Sequence, residues 1–203
     1  MSRGRLFIIS GPSGSGKDTL LVELFKMRPE LKFSISSITR DIRENEKPGE
    51  KYDFISRGQF EEMIKNDQLL EYNVFVGNYY GTPKAPVISA IKNGDDIIVE
   101  VDVNGAAQIR EKMPESTSVF ILPPSLEVLK SRLKKRGTEN EEKIAARLEC
   151  ALGEIARADE YDYVIVNDDL QKAVNELSDI IRLDRLKADR NKTLIDSILG
   201  NER

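Results

Sequence analysis

Residues 11–17 read Gly-Pro-Ser-Gly-Ser-Gly-Lys, within the stretch FIISGPSGSGKDTLL. The spacing G-x-x-x-x-G-K, placed after an apolar run and before a helical pattern, is that of a phosphate-binding loop. Its chemistry follows from the residue types. Glycines let the backbone curl so that several N–H groups face one anion. The helix that begins near Gly16 adds partial positive charge at its N-terminus, and Lys17 adds a full one. Gly11, Pro12, Ser13, Gly14, Ser15, Gly16 and Lys17 are therefore expected to cradle a nucleoside triphosphate.

The next position breaks the pattern: Asp18 stands where a Ser or Thr hydroxyl would reach a bound Mg²⁺. A carboxylate is also a hard oxygen ligand, so Asp18 is a candidate metal ligand. The alternative is a solvent-facing residue in the first turn, with Mg²⁺ held by phosphates and water. Thr19 keeps a hydroxyl nearby.

A second cluster lies in residues 36–82. SSITRDIR places Arg40 and Arg43 three residues apart, just after Ser36 and Ser37. Two guanidiniums converging on one phosphate would give forked, charge-assisted hydrogen bonds, whereas two solvated arginines are the plainer alternative. LLEYNVFVGNYYGT adds Glu71, Tyr80 and Thr82. A carboxylate that accepts two N–H bonds from one base edge selects guanine over adenine.

These groups need a frame. LFIIS (6–10), DIIVEVD (96–102), SVFILP (118–123) and YVIVN (163–167) read as buried strands of a parallel sheet. Helical patterns cover 16–28, 125–136 with Ser125 as N-cap, 141–158 and 170–183. In 141–158 the apolar stripe Ile144, Leu148, Leu152 and Ile155 is expected to face the core. Residues 35–88 interrupt this rhythm with an aromatic, strand-rich insertion and a helix near 57–66, capped by Ser56 with Gln59 three residues on. Such an insertion suggests a small lobe over the site, and the polar stretch KKRGTENEEK (134–143) a lid or a plain loop. Arg132 and Arg136, four apart, share a helical face beside it. Glu100 and Asp102 share one face at a strand end, where open α/β sheets place ligands; Asp102 reads equally as the cap of the following helix.

Bulk properties narrow the function class. The 203 residues suffice for one substantial domain, and 31 basic against 35 acidic residues do not suit a nucleic-acid binder. There is no histidine and one cysteine, Cys150, which excludes an internal disulfide, imidazole catalysis and an ordinary zinc site. No apolar run approaches a membrane span or a secretory signal, so a cytoplasmic protein without membrane contact is expected.

Taken in order, GPSGSGK, SSITRDIREN, KYDF, LLEYNVFVGNYYGT, IIVEVDVNGA, FILPPS, RLKKRGTE and VIVNDD resemble the guanylate kinase family over about residues 5–180. The resemblance implies a P-loop NTPase-type α/β fold: a five-stranded parallel sheet flanked by helices, with an inserted GMP-binding lobe and a small lid. It implies one domain over 1–203, with a core of 1–35 and 89–186, the lobe at 36–88, a lid at about 133–147 and a tail at 187–203. The implied reaction transfers the γ-phosphoryl group of ATP to GMP or dGMP, with Mg²⁺ as cofactor. The implied GMP-phosphate ligands are Ser36, Arg40, Arg43, Tyr52 and Tyr80, and the guanine readers Glu71 and Thr82 with Asp102. Lys17 and the loop hold ATP, Arg132, Arg136 and Arg147 close in from the lid, and Asn167 lies by the adenine. Lys17, the two lobe arginines and the three lid arginines form the implied catalytic set. Monomer and homodimer both remain open.

Three positions depart from the family pattern: Asp18, Ile42 in place of the common proline between the arginines, and Lys51 before Tyr52 in place of an aspartate. The lysine removes that loop's usual internal hydrogen bond. Two other readings compete: a non-catalytic interaction module on the same fold, and a kinase for another small phosphorylated acceptor. The module lacks a working phosphate loop, and the second has no use for Glu71.

Overall fold

The computed structural model describes residues 3–44, 46–135 and 141–200. Arg136 and the centre of the expected lid, 136–140, lie outside the described residues.

Leu6–Ser10 forms strand β1, and the phosphate loop leads into helix α1, Lys17–Met27. Lys32–Phe33 is β2, Ser36–Ile38 β3 and Tyr52–Phe54 β4. Helix α2, Arg57–Lys65, precedes the hairpin of β5, Leu69–Phe75, and β6, Asn78–Pro83. Helix α3 is Lys84–Lys92, β7 Ile97–Glu100, α4 Val103–Lys112 and β8 Thr117–Leu122. Then come α5, Leu126–Lys135; α6, Glu141–Ile155; β9, Tyr163–Val166; α7, Leu170–Asp184; and α8, Lys192–Ile198.

The main sheet is five-stranded and parallel in the order β2-β7-β1-β8-β9, as expected. Its central strands are mostly apolar because both faces are covered. Phe7 and Ile9 of β1, Ile98 of β7 and Val119 and Ile121 of β8 pack with α1 and α7. The alternating residues Leu6, Ile8, Ile97, Val99 and Phe120 pack with α3 and α4 on the other side. A second, four-stranded sheet, ordered β4-β3-β6-β5, builds the small lobe. Its β5–β6 hairpin turns on Val76 and Gly77, both at positive φ (48° and 77°), the requirement of a two-residue turn matched to strand twist. Ser56 and Gln59 make the reciprocal capping box at the start of α2.

Three expectations fail. Strand β9 is not buried: Tyr163, Val164 and Val166 are exposed and only Ile165 is covered, because β9 is an edge strand. Leu152 is exposed too; Ala151 takes the core position of α6 against Leu129 and Leu133. The helical pattern of 141–158 ends at Ile155, and Ala158–Glu160 forms a separate 3₁₀ turn.

The tail is pinned by charge. Arg190, 7% exposed at its side chain, donates to Asp184 Oδ2 at 2.7 Å, and Asp184 also pairs with Arg5 and Lys187. Burial alone would raise the Asp184 carboxyl, but the Lys187, Thr117 and Arg190 hydrogen bonds outweigh it and hold its pKa down. Arg190→Ala is expected to cost about 2–3 kcal/mol by leaving buried carboxylate charge under-compensated. A thermal melt at neutral pH should show a midpoint about 5–10 °C lower. An unchanged midpoint would mean the tail contributes nothing to the fold.

Candidate functional site

The phosphate loop closes on itself through Ser15 N–H to the Pro12 carbonyl at 3.0 Å, and Gly16 caps α1 in the left-handed region, φ 86°. Only glycine serves there: a Cβ would stand 2.5 Å from Asn167 Nδ2. No side chain caps α1, so its first N–H groups are left for a ligand. The loop is braced from below. Buried Asn167 donates from Nδ2 to the Ser15 carbonyl at 2.8 Å. Arg132 donates to the Ser15 and Asn167 carbonyls at 3.1 and 3.0 Å, and Arg147 to Ser13 Oγ at 2.8 Å. Two of the three expected lid arginines are thus on the loop; Arg136 lies outside the described residues. Thr19, on α1, is exposed.

Facing the loop is a cleft of about 450 Å³ between the main sheet and the small lobe. Gly11, Ser13, Lys17, Ser36, Arg40, Arg43, Tyr52, Glu71, Tyr80 and Asp102 all line it. A larger hollow of about 920 Å³ under the tail is lined by Arg5, Asp189 and Arg190, whose charges are already paired, Arg5 with Asp189 and Arg190 with Asp184. The cleft, not this hollow, gathers the expected site residues.

In the cleft, Glu71 is 5% exposed, and its Oε1 accepts from Thr82 Oγ1 at 2.6 Å. The two are cross-strand partners in the β5–β6 ladder, which is why residues eleven apart in the chain meet. Burial pushes the Glu71 carboxyl up to about 7, against the lowering by the Thr82 hydrogen bond. Its other oxygen lies where Gly105 leaves room; a Cβ there would meet it at 2.8 Å. Asp102 does cap α4, with Oδ1 accepting from the Asn104 and Gly105 N–H groups. Its Oδ2 accepts from Asn73 Nδ2 at 2.8 Å, beside the cleft.

Arg40 is held differently from the expectation of a converging arginine pair. It forks onto Glu46, both bonds 2.6 Å, and lies over the Tyr52 and Phe54 rings. That bond and charge, against desolvation, raise its pKa. Glu46 also accepts from the Arg43 N–H at 3.0 Å. This carboxylate occupies the arginine fork. The sequence reading passed over it, though an acid three residues after Arg43 was the available signal.

Between loop and lobe lies a charge cluster. Lys17 Nζ pairs with Glu100 Oε1 at 2.8 Å, and Lys51 Nζ pairs with Glu100 Oε2 and Asp18 Oδ1, each at 2.8 Å. Asp18 is therefore held in an ion pair, although its side chain stays 47% exposed. Burial opposes its ionisation, but the Lys51 bond and charge outweigh that and hold its pKa well below the usual carboxylate range. Desolvation likewise works against the Lys51 ammonium, and Glu100 and Asp18 more than offset it, so its pKa is raised.

Comparison with known proteins places this geometry. The guanylate kinase family matches residues 3–184. The guanylate kinase of Carboxydothermus hydrogenoformans is 50% identical over 190 residues, covering 94% of this chain and 93% of that protein. That of Desulfitobacterium hafniense is 43% identical, covering 97% and 98%. The crystal structure of guanylate kinase from Anaplasma phagocytophilum superposes with a TM-score of 0.79 at 30% identity, over 100% of this chain and 98% of that one. With a phosphate loop, a facing cleft and a family match across nine-tenths of its length, the chain belongs to the guanylate kinase family, enzymes that phosphorylate GMP with ATP.

Proposed function

We propose that the cleft transfers the γ-phosphoryl group of ATP directly to the phosphate of GMP or dGMP, with ATP on the loop side and GMP in the small lobe. The observation that carries this is the buried Glu71–Thr82 pair opposite the phosphate loop. An ionised Glu71 accepts the N1–H and N2–H donors of guanine, which adenine cannot supply as a pair. Ser36, Arg40, Arg43, Tyr52 and Tyr80 take the GMP phosphate, and for that Arg40 must loosen from Glu46. Asp102 supports the base end through Asn73.

Phosphoryl transfer asks chiefly for positioning and charge neutralisation. Lys17 leaves Glu100 for the outer phosphates of ATP, and Arg132 and Arg147, already on the loop, add charge at its rim. Arg136 is assigned to the same task. The attacking phosphate is already ionised, so no general base is needed, in keeping with a chain that contains no histidine. Mg²⁺ fits this site as the cofactor: Asp18 and Glu100 offer hard oxygen donors that already hold a cation, the Lys51 ammonium. When bound it would neutralise phosphate oxygens. Among the described residues no three acidic or sulfur ligands gather, so phosphates and water would complete its shell.

Acceptor selectivity tests the reading. GMP should support ADP formation from ATP, and AMP, CMP and UMP should not. A sugar phosphate outperforming GMP would move the chain to another acceptor. No helix among the described residues is long and apolar enough to cross a membrane.

A further inference from the structure

An acidic side chain directly after the phosphate-loop lysine repels the anion that the loop must hold. Asp18 lies in the first turn of α1, with its carboxylate on the loop's cleft side, where Lys51 meets it. Lys51 comes from the other lobe, immediately before β4 and 33 residues away in the chain. Its ammonium contacts Asp18 and Glu100 together, and Glu100 in turn holds Lys17. Two ammonium groups thus face two carboxylates, and the charges of these four side chains balance. Without Lys51 the other three would sum to a net negative charge at the mouth of a site for polyphosphate.

We propose that Lys51, a residue of the acceptor lobe, is a positioning residue of the ATP subsite, offsetting Asp18 so that the loop can accept a nucleotide polyphosphate. This rests on the functional reading above. The bridge also makes the electrostatics of one subsite depend on the place of the other lobe, because the compensating charge sits on the lobe that receives GMP. Asp18 and Lys51 are each part-exposed, 47% and 40% at the side chain, so the effect is screened and shrinks with salt.

The test is ADP binding by calorimetry in EDTA at low salt, with no acceptor, so that neither turnover nor metal enters. Lys51→Met should weaken ADP binding about tenfold, the scale of an uncompensated, partly screened charge at close range. Lys51→Arg should stay within about twofold of wild type, since charge and reach are kept. Asp18→Ser should bind at least as tightly as wild type, and Asp18→Ser/Lys51→Met should recover most of the loss. Raising salt should narrow the gap between Lys51→Met and wild type. Melting temperatures taken alongside separate a packing defect, which the second substitution would not repair. Wild-type affinity in Lys51→Met overturns the proposal, and so does a double variant as weak as Lys51→Met. Wild-type protein that binds no ADP overturns this proposal and the functional reading together.

Discussion

Replacing Glu71 with glutamine is expected to lower kcat/KM for GMP by about a hundredfold, since the buried site loses a charge-assisted acceptor and gains a donor facing the base. The loss should sit mainly in the GMP KM, with the ATP KM nearly unchanged. The same carboxylate sets a pH dependence. In the ligand-free protein its pKa is raised to about 7, mainly by burial. Guanine needs the ionised form, so below pH 7 binding must first expel a proton. GMP affinity should therefore fall as pH drops through 7, by up to about tenfold per unit, and level off above it. Stability of the ligand-free protein runs the other way. A carboxyl whose folded pKa exceeds its unfolded value stabilises fully below the unfolded value, and that contribution is lost as pH rises through about 7. The GMP phosphate itself titrates near pH 6, so the comparison to make is wild type against Glu71→Gln, which share that titration. Identical pH profiles for the two proteins would remove Glu71 from base recognition.

Lys17→Met is expected to reduce kcat/KM for ATP by about a thousandfold or more, the scale seen when a preorganised charge on a transferring group is removed. The fold should survive. Lys17 is held by Glu100, and Glu100 keeps its second partner, Lys51, in the variant. GMP binding measured without ATP should stay within about threefold of wild type, because Lys17 serves the other subsite. Turnover near the wild-type rate would show that the loop is not the ATP site. Loss of GMP binding along with turnover would point instead to collapse of the charge cluster.

The phosphate loop was legible in the sequence because its requirements are local: glycines at fixed offsets, a strand before and a helix after. Glu71 and Thr82 could be named because one short hairpin carries both. The parallel sheet was legible from the apolar runs, and the capping box from Ser56 and Gln59 alone. What escaped was set by distance in the chain or by place in the sheet. A run such as YVIV reads alike in a central strand and in an edge strand, and only the strand order shows that β9 is half bare. Leu152 fits a helical stripe that in the structure turns toward Ala151. Asp18 and Lys51 each stood out singly as odd residues, but nothing local tells that residues 33 apart meet at 2.8 Å. The tail's anchor escaped too, because Arg190 reaches not only Asp184, six residues back, but also Asp96, far back in the chain.

The most direct measurement is the initial rate of ADP formation from Mg·ATP with GMP, AMP, CMP and UMP offered separately at equal concentration. The account predicts turnover with GMP at least a hundredfold above the others, a margin expected of a buried site built to pair with specific donors. Equal rates with GMP and AMP would contradict the role given to Glu71 and Thr82. No ADP above the acceptor-free rate with any of the four would contradict the central claim that this cleft is a phosphoryl-transfer site for GMP.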